Sequence, residues 1–394
     1  MFNFQIIKKS KKSLARIGKI KTPHGEIITP AFLPVATLGV IKGGLTFNEF
    51  LSTGVQAQIT NSFHFLDLDY IDVIFKAGGL HKFFNFSKPI FTDSGGFQIF
   101  SLGRGNEFGL GKIASIFPEE QKKKSKNQLK SLQKRNNLIK KISEEGVWFL
   151  SPRNGRLIDL TPEKAFDVQN KLGADFIYVL DVCGTPLDDY FLTQKELEIS
   201  HQWFNRFIAQ YKKIKNIENK QQIFGIIQGG LFDDLRLKSA EFVNNLDVFG
   251  IAIGGALGKN KKDMFKILKV INKKIDFNRP HHLLGIGSLS DLENLIKQGI
   301  DLFDCVLPTR MARHGMALIK RGFIDIVRKK YQKKFEPIDK DCDCFTCKNY
   351  NLAQIYFLFK AKELLAGHLL TIHNLYFFEK VLQNIRNKIL SNKI

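Results

Sequence analysis

Residues 282–309 read HLLGIGSLSDLENLIKQGIDLFDCVLPT and contain one unit of a pattern that runs through the chain. Short apolar runs at 282–288 and 300–309 have strand length, and the segment 288–299 between them has apolar residues at helical spacing. Near-continuous apolar strands joined by a helix are typical of a parallel sheet covered on both faces. This stretch therefore predicts a strand–helix–strand unit.

Eight such apolar runs occur, many of them separated by helix-like segments such as 161–173 and 261–274. The runs are 30–39, 55–62, 89–96, 175–183, 223–230, 248–255, 282–288 and 300–309. About eight strand–helix units over this length favour an α/β fold, a (β/α)₈ TIM barrel. A doubly wound open sheet is the alternative.

A buried carboxylate without a partner is costly, yet Asp304 lies inside the apolar run 300–309. In a barrel of this class, the carboxyl ends of the strands carry the active site. Polar or glycine residues near those ends are therefore expected to meet at one mouth, although each alone also suits a turn. They are Asp93, Asp181, Gln228, Gly254, Gly255 and Asp304.

The chain is strongly basic, with 60 Lys and Arg against 38 Asp and Glu and a formal net charge of +22. Such a charge attracts polyanions, nucleic acid first and anionic membranes second, although an AT-rich coding bias gives a similar composition. We find no apolar run long enough for a transmembrane helix and no signal-peptide pattern at the start. The expectation is a cytoplasmic protein.

Two segments depart from the barrel pattern, and they set the expected domains. Residues 103–146 are basic and predict a partly helical surface insertion, because Leu129, Leu132, Ile139 and Ile142 lie near helical spacing. This insertion is either a solvated excursion or a contributor to RNA binding. We expect a catalytic barrel over 1–320, which includes the insertion, and a zinc-binding subdomain with closing helices over 321–394.

The second segment contains Cys342, Cys344 and Cys347, in the spacing C-x-C-x-x-C. A tight turn of this kind can direct three thiolates at one ion, and zinc takes four N or S ligands when its role is structural. Either His368 or His373 supplies the fourth ligand, since the spacing alone does not choose between them. Such a site can contribute on the order of 10 kcal/mol to local folding.

Several stretches together resemble the tRNA-guanine transglycosylases, also called queuine tRNA-ribosyltransferases, over nearly the whole chain apart from the basic insertion. They are ARIGKIKTPHGEIITPAFLPVAT, TNSFHF, FTDSGGFQ, FGIIQGG, GIAIGG, FDCVLPTR and CDCFTC followed by TIHNL. The resemblance implies a (β/α)₈ barrel with one structural zinc per chain. In the family the zinc histidine lies in the motif TIHN, which selects His373.

The implied reaction exchanges guanine at the wobble position of a tRNA anticodon for 7-aminomethyl-7-deazaguanine, in queuosine biosynthesis. Asp304 resembles the nucleophile that attacks C1′ and forms a covalent ribosyl–enzyme intermediate, so that two displacements retain the stereochemistry. Asp93 resembles the general acid/base. The reverse assignment, with Asp93 as nucleophile, stays open.

The remaining expected roles follow the same motifs. Asp181 suits the paired N–H donors of guanine, Gln228 and the backbone N–H of Gly255 suit its O6, and Phe97 suits stacking on the flipped base. Ser94 and Gly254 are assigned to the same base site. Arg310 and Arg313 are expected to hold RNA phosphate or neighbouring bases, with plain salt bridging as the alternative.

Departures from the family pattern concern the incoming base. Bacterial members commonly have an acidic residue where this chain has Val182, and a Glu-containing loop where it has Gly258 and Lys259. Salvaged queuine is therefore an alternative substrate.

Two rival functions are a catalytically silent tRNA-binding subunit and an archaeal-type enzyme that acts on the tRNA D-arm. The resemblance also implies a homodimer, and the lack of a long apolar run predicts no membrane partner.

Overall fold

The structure, a computed structural model, describes residues 1–100, 117, 138–254 and 257–394. Its strands follow the chain in this order: β1 (Asn3–Lys9), β2 (Arg16–Thr22), β3 (Gly25–Thr29), β4 (Ala31–Pro34), β5 (Gln58–Asn61), β6 (Ile90–Asp93), β7 (Ile139–Ser143), β8 (Gly146–Leu150), β9 (Leu157–Leu160), β10 (Phe176–Tyr178), β11 (Gln222–Ile227), β12 (Gly250–Ile253), β13 (His281–Leu283), β14 (Leu302–Cys305), β15 (Met316–Ile319) and β16 (Gly322–Asp325).

Eight of these strands form one parallel sheet in the order β4-β14-β13-β12-β11-β10-β6-β5. The two ends of this order meet, because Val35 forms a parallel bridge with Ile59. The N–H of Ala36 also donates to the Ile59 carbonyl at 2.7 Å. The sheet is therefore a nearly closed barrel, and each of its strands lies within or overlaps one of the eight predicted runs. The barrel prediction is confirmed, and the open doubly wound alternative is wrong.

Helices cover the outside of the barrel and also build the C-terminal region. They are α1 (Phe47–Ser52), α2 (Ser62–Leu68), α3 (Ile71–Lys76), α4 (Leu80–Phe83), α5 (Pro162–Leu172), α6 (Tyr190–Lys212), α7 (Asp233–Asn244), α8 (Lys261–Ile271), α9 (Leu289–Lys297), α10 (Leu307–Arg313), α11 (Phe345–Asn349), α12 (Leu352–Lys360) and α13 (Leu364–Leu390). The sequence marks some of the starts: Thr161 caps α5 by accepting from the Lys164 N–H, with proline at the first position.

The barrel strands do not alternate between buried and exposed side chains, as expected for a sheet that is covered on both faces. The strands β4, β5 and β12 are buried at every position, since one side packs inside the barrel and the other against helices. The main hydrophobic core joins this interior to the helix layer and to the inner face of α13. The helices α5, α8 and α9 coincide with the three segments predicted to be helical.

Two small antiparallel sheets flank the barrel, β1-β2-β3 and β7-β8-β9. The second one corrects part of the expectation for residues 103–146. Ile139 and Ile142, expected on a helix, lie in β7, which pairs with β8 through an irregular register between Ile139 and Lys141. Leu129 and Leu132 lie outside the described residues.

The C-terminal region has a small hydrophobic core of its own, formed by residues between Ala312 and Leu370. The β15–β16 hairpin crosses the expected boundary at residue 320. The long helix α13 belongs to both cores, because its residues from Ile372 onward pack on the barrel. The division into 1–320 and 321–394 stays a prediction. In the part of the chain that the structure describes, no helix combines the length and the apolar character needed to cross a membrane.

Candidate active site and Cys₃His group

Four predicted site residues lie at one end of the barrel. Asp93 ends β6, Asp304 is the third residue of β14, and Asp181 and Gln228 follow β10 and β11. Because all eight barrel strands are parallel, these carboxyl ends share one mouth. The mouth thus contains three carboxyl groups and one amide.

The Asp304 side chain is largely buried, with 13 % of its surface exposed. Its Oδ1 accepts a hydrogen bond from the backbone N–H of Gly285 at 2.8 Å. The same oxygen lies 3.1 Å from Nε2 of His282. The Gly285 N–H holds the carboxyl group in one orientation, and the His282 ring lies beside the same oxygen.

Asp93 is half-buried, with part of its surface open at the mouth. Its Oδ1 accepts from the Gly95 N–H at 3.0 Å, and its Oδ2 accepts from Nδ2 of Asn61 at 2.7 Å. Burial raises the pKa of Asp93 to about 8, with a smaller contribution from the negative charge of Asp304. Asp93 therefore carries a proton at neutral pH.

Asp181 and Gln228 form a buried pair, in which Nε2 of Gln228 donates to Oδ2 of Asp181. Burial raises the pKa of Asp181 to about 6, so the carboxyl group is mainly ionised at neutral pH. The glycines of the SGG segment bring a neighbouring loop close: a Cβ at Gly96 would lie 2.9 Å from the Asp181 carbonyl oxygen. A carboxylate acceptor and an amide are therefore assembled side by side.

Gly254 and the end of β11 are fixed by a residue that the sequence pattern does not single out. Arg236 is fully buried in α7, and its guanidinium donates to the carbonyls of Ile227, Gly230 and Gly254 at 2.9–3.1 Å. Burial lowers the pKa of Arg236 to about 9. Gly255 lies outside the described residues.

Residues expected to contact RNA or the base take different positions. Ser94 is buried next to Asp93, whereas Phe97 is 48 % exposed in the helical segment that follows. Arg310 is exposed on α10, directly after the strand that carries Asp304. Arg313 instead donates to the carbonyls of Lys42 and Thr309, both at 3.0 Å, so its guanidinium is partly engaged within the protein.

Three polar neighbours of the carboxylates were missed by sequence reasoning: Asn61, Tyr178 and His282. The Tyr178 hydroxyl contacts Nδ1 of His282, and both side chains are buried inside the barrel. Asn61 and His282 are polar residues within predicted apolar strands. That signal could have found them, but nothing in the sequence shows which residues face one another across a barrel.

The Cys₃His group is present as expected. Cys342, Cys344, Cys347 and His373 place their ligand atoms within 4.8 Å of one another, so they could hold a metal ion. The three sulfurs lie 3.4–3.7 Å from Nδ1 of His373. Nε2 of His373 bonds to the Leu318 carbonyl at 2.8 Å, which leaves the Nδ1 lone pair facing the sulfurs.

His368 takes no part in this group. Its ring bonds to the Gly43 carbonyl at 2.9 Å and to Oε1 of Glu49 at 2.7 Å. The choice of His373 over His368 is therefore supported by position as well as by the motif.

A second cluster of His24, His81 and Asp175 lies at the opposite end of the barrel, where β10 begins. Its two imidazole rings stack nearly parallel with centroids 3.4 Å apart. A metal ion binds in the plane of an imidazole ring, and one ion cannot lie in both of these planes. The cluster is better described as two histidines that share one carboxylate, with contacts of 2.8 and 3.2 Å.

Chemically, the mouth combines an oriented carboxyl group with a protonated one. A carboxyl group oriented in this way can attack an electrophilic carbon, and a protonated one can donate a proton near neutral pH. The Asp181–Gln228 pair adds an acceptor and an amide for a polar planar ligand. The fold and this site together define an α/β-barrel enzyme with an oriented carboxyl group and a protonated one at the barrel mouth.

Comparison with known proteins gives the family. A sequence model of the queuine tRNA-ribosyltransferase family matches residues 10–116 and 122–394. A putative queuine tRNA-ribosyltransferase of Archaeoglobus fulgidus is 41% identical over 384 residues, covering 95% of this chain and 93% of its own. The queuine tRNA-ribosyltransferase of Thermoanaerobacter sp. strain X514 is 38% identical over 392 residues, covering 99% and 94%. That of Dictyoglomus turgidum is 37% identical, covering 99% and 92%.

The chain therefore belongs to the queuine tRNA-ribosyltransferase family, and the expected enzyme class, a tRNA-guanine transglycosylase, is confirmed.

Proposed function

We propose that this enzyme exchanges guanine at the tRNA wobble position for 7-aminomethyl-7-deazaguanine, with Asp304 as nucleophile and Asp93 as general acid/base. The observation that carries this proposal is the difference between the two carboxyl groups. Asp304 is held through Oδ1 by the Gly285 N–H, while burial raises the pKa of Asp93 to about 8. One group is oriented for attack and the other retains a proton, which favours this assignment over the reverse one.

The proposed reaction has two displacements. Oδ2 of Asp304 bonds to C1′ as the bond from C1′ to guanine breaks, and the departing purine takes the proton of Asp93. The ionised Asp93 then removes the ring N–H proton of the incoming base, whose nitrogen bonds to C1′ as the C1′–Oδ2 bond breaks. Asp304 returns as a carboxylate and Asp93 as an acid, so the cycle needs no further reactant.

Base recognition is assigned to the Asp181–Gln228 pair. An ionised Asp181 can accept two N–H bonds from the edge of guanine, and the Gln228 amide, which donates to Asp181, can turn toward O6. The exposed ring of Phe97 is available for stacking at the mouth. Ser94 and Gly254 line the same region, and the Gly255 N–H is proposed as a second donor to O6.

The incoming base is the finer part of the proposal. The segment after β12 lacks the glutamate that would pair with an aminomethyl group, and Lys259 uses its backbone N–H to bind Asp263 at 2.9 Å. Queuine is therefore kept as the second candidate. Competition of the two bases against labelled guanine in tRNA separates them, since exclusive use of the aminomethyl base would exclude queuine.

Recognition of tRNA is supported by charge. The net charge of +22 and the exposed Arg310 beside the nucleophile strand suit a phosphate backbone. We propose Arg310 as a direct RNA contact and Arg313 as a weaker one, because the latter already binds two carbonyls. Binding is expected to weaken steeply with salt through counterion release.

We propose that the Cys₃His group holds one structural zinc ion. Three thiolates and one imidazole suit zinc, and four protein ligands leave no open position for catalysis. Metal analysis of the purified protein checks this: one zinc per chain in the wild type and less in Cys344→Ser. Loss of the metal with chelator should expose the C-terminal region to protease.

Three further proposals rest on the family resemblance and on charge. They are a homodimer in the cytoplasm, a domain division at residue 320 and a role of the 103–146 segment in tRNA binding. Sedimentation at micromolar concentration tests the dimer.

Exchange of labelled guanine into unmodified tRNA tests the whole proposal. Wild type should incorporate label and should form a protein–RNA adduct that survives denaturation. Peptide mapping should locate that adduct on Asp304. An adduct on Asp93 would instead support the reverse assignment, and tRNA binding without exchange would favour a silent tRNA-binding subunit.

A further inference from the structure

The paired side chains of Tyr178 and His282 have no role in the two displacements, although they lie directly behind the proposed nucleophile. Tyr178 ends β10 and His282 is the middle residue of β13, and both are buried inside the barrel. Their rings meet edge to face with centroids 5.7 Å apart. Buried polar side chains in a barrel core are costly, so their contact with each other and with Asp304 needs a reason.

The positions of the hydrogens follow from the environment of Tyr178. Burial raises its pKa well above the usual value, and the charges of Asp304 and Asp93 raise it further. The hydroxyl therefore keeps its proton and donates it to Nδ1 of His282, the partner that the structure gives it. A neutral imidazole that accepts at Nδ1 carries its hydrogen at Nε2.

Nε2 of His282 is directed to the nucleophile side of the ring. It lies 3.1 Å from Oδ1 of Asp304, a distance at which only the angle falls short of a hydrogen bond, and it has no hydrogen-bond partner within the described residues. The Gly285 N–H donates to the same oxygen at 2.8 Å. Two N–H groups thus face one carboxylate oxygen and leave Oδ2 for the substrate.

We propose that His282 is a positioning residue, which with Tyr178 behind it presents Oδ2 of Asp304 to C1′. The inference rests on the proposed role of Asp304. When Oδ2 bonds to C1′, Oδ1 becomes the carbonyl oxygen of the ester, and when that bond breaks, negative charge returns to the carboxylate. Donors fixed at Oδ1 stabilise that returning charge without having to move.

The test compares variants of His282 by the rate of adduct formation on tRNA in a single turnover. His282→Phe keeps a ring but removes the donor, and the rate should fall roughly 10²-fold. His282→Gln places an amide N–H near the position of Nε2 and should recover much of the loss. The dissociation constant for tRNA should stay at the wild-type value in both variants, since neither side chain reaches the surface.

Tyr178→Phe supplies an independent measurement, because it removes one hydroxyl and keeps the ring. Its matched control is Tyr211→Phe, which removes a buried hydroxyl that donates to the Gln221 carbonyl at 2.8 Å, outside the site. Without the Tyr178 hydroxyl, the hydrogen of the His282 ring is no longer fixed at Nε2. Tyr178→Phe should therefore slow adduct formation about 10-fold, whereas Tyr211→Phe should leave the rate unchanged. Thermal unfolding of all four variants shows whether a rate change follows from lost folded protein.

Adduct formation by His282→Phe at the wild-type rate would overturn the assignment. Equal rates in His282→Gln and His282→Phe would do so as well. Should His282→Phe fail to fold, the comparison of Tyr178→Phe with Tyr211→Phe decides. A wild-type enzyme that forms no adduct on Asp304 would reject the proposed nucleophile itself, which separates that failure from an error about His282.

Discussion

The two ends of the barrel treat buried aspartates in opposite ways. At the amino ends of the strands, Asp301 is fully buried and accepts from Nε and Nη2 of Arg16 at 2.9 and 2.6 Å. Asp175 has a lowered pKa there, since hydrogen bonds from His24 and His81 outweigh the effect of burial. At the carboxyl ends, burial raises the pKa of Asp93 and of Asp181.

The contrast between the two ends shows that the partners of a buried aspartate decide whether it stabilises the fold or stays available for chemistry. Asp301 and Asp304 are three positions apart on either side of the β14 core, yet only the first has an arginine partner among the described residues. A carboxylate neutralised by a guanidinium is a poor nucleophile and a poor acid. In the part of the chain that the structure describes, the carboxyl groups at the mouth contact N–H donors and amides and form no ion pair with Lys or Arg, so they stay available.

The sharpest test of this comparison is Asp304→Asn. We expect guanine exchange to fall by about 10⁴-fold or more, because the proposed nucleophile is lost, while thermal stability changes little. Labelled-guanine exchange and a melting curve measure the two quantities. A variant that lost its fold instead would place Asp304 with the structural aspartates.

Asp301→Asn should give the opposite result. Arg16 would remain buried with half of its bidentate contact gone, and breaking a buried pair costs about 3–5 kcal/mol. Urea denaturation measures the change in the free energy of unfolding. The exchange rate per folded molecule should match the wild type, and a large drop in that rate would show that the two ends of the strand are not independent.

Asp181→Asn tests the recognition pair. The substitution replaces a two-oxygen acceptor by one oxygen and one amide, so a guanine N–H loses its partner. We expect kcat/KM for guanine to fall by roughly 10²-fold. Binding of tRNA and its salt dependence should be unaffected, and a parallel loss of tRNA binding would assign Asp181 to the RNA backbone.

The pH dependence has the smallest effect and concerns Asp93. Because its folded pKa is about 8, the proton needed by the leaving base is present below that pH. Exchange should fall about tenfold per pH unit well above it. The raised pKa of Asp93 also sets the direction in which pH changes the stability of the fold. A carboxyl pKa raised by folding destabilises the ionised form, so this cost grows as pH rises from the unfolded value near 4 toward 8.

Asp93→Asn is the matching variant for that prediction. It should be inactive, should lack the decline in stability that Asp93 causes between those pH values, and should therefore unfold at a higher temperature than wild type at pH 9. Equal melting temperatures at high pH would show that Asp93 is ionised at little cost.

Most of the fold was predictable from the sequence because barrel strands are buried on two sides. Continuous apolar runs such as 223–230 stand out from the polar helix faces between them. The hairpin that begins at Ile139 was not predictable in the same way. Its lysines and its irregular register obscure the alternation of a strand, so that its apolar spacing resembles that of a helix.

The site was predictable only in part, and the reason is geometric. Motifs identified Asp93, Asp181 and Asp304, but a motif is local. The contact of Tyr178 with His282 spans 104 residues, and the bonds of Arg236 join the ends of two strands. Which residues meet across the barrel depends on strand order and register, and local patterns in one sequence do not predict either of them.

Adjacent residues on α13 connect the Cys₃His group to α10, the helix that follows Asp304. His373 faces the three sulfurs, while Asn374 donates to the carbonyl of Pro308, which belongs to the helix that carries Arg310. The backbone positions of two neighbouring residues on one helix move together. Loss of the cysteine turn is therefore expected to loosen the helix that carries Arg310, the residue proposed to contact RNA.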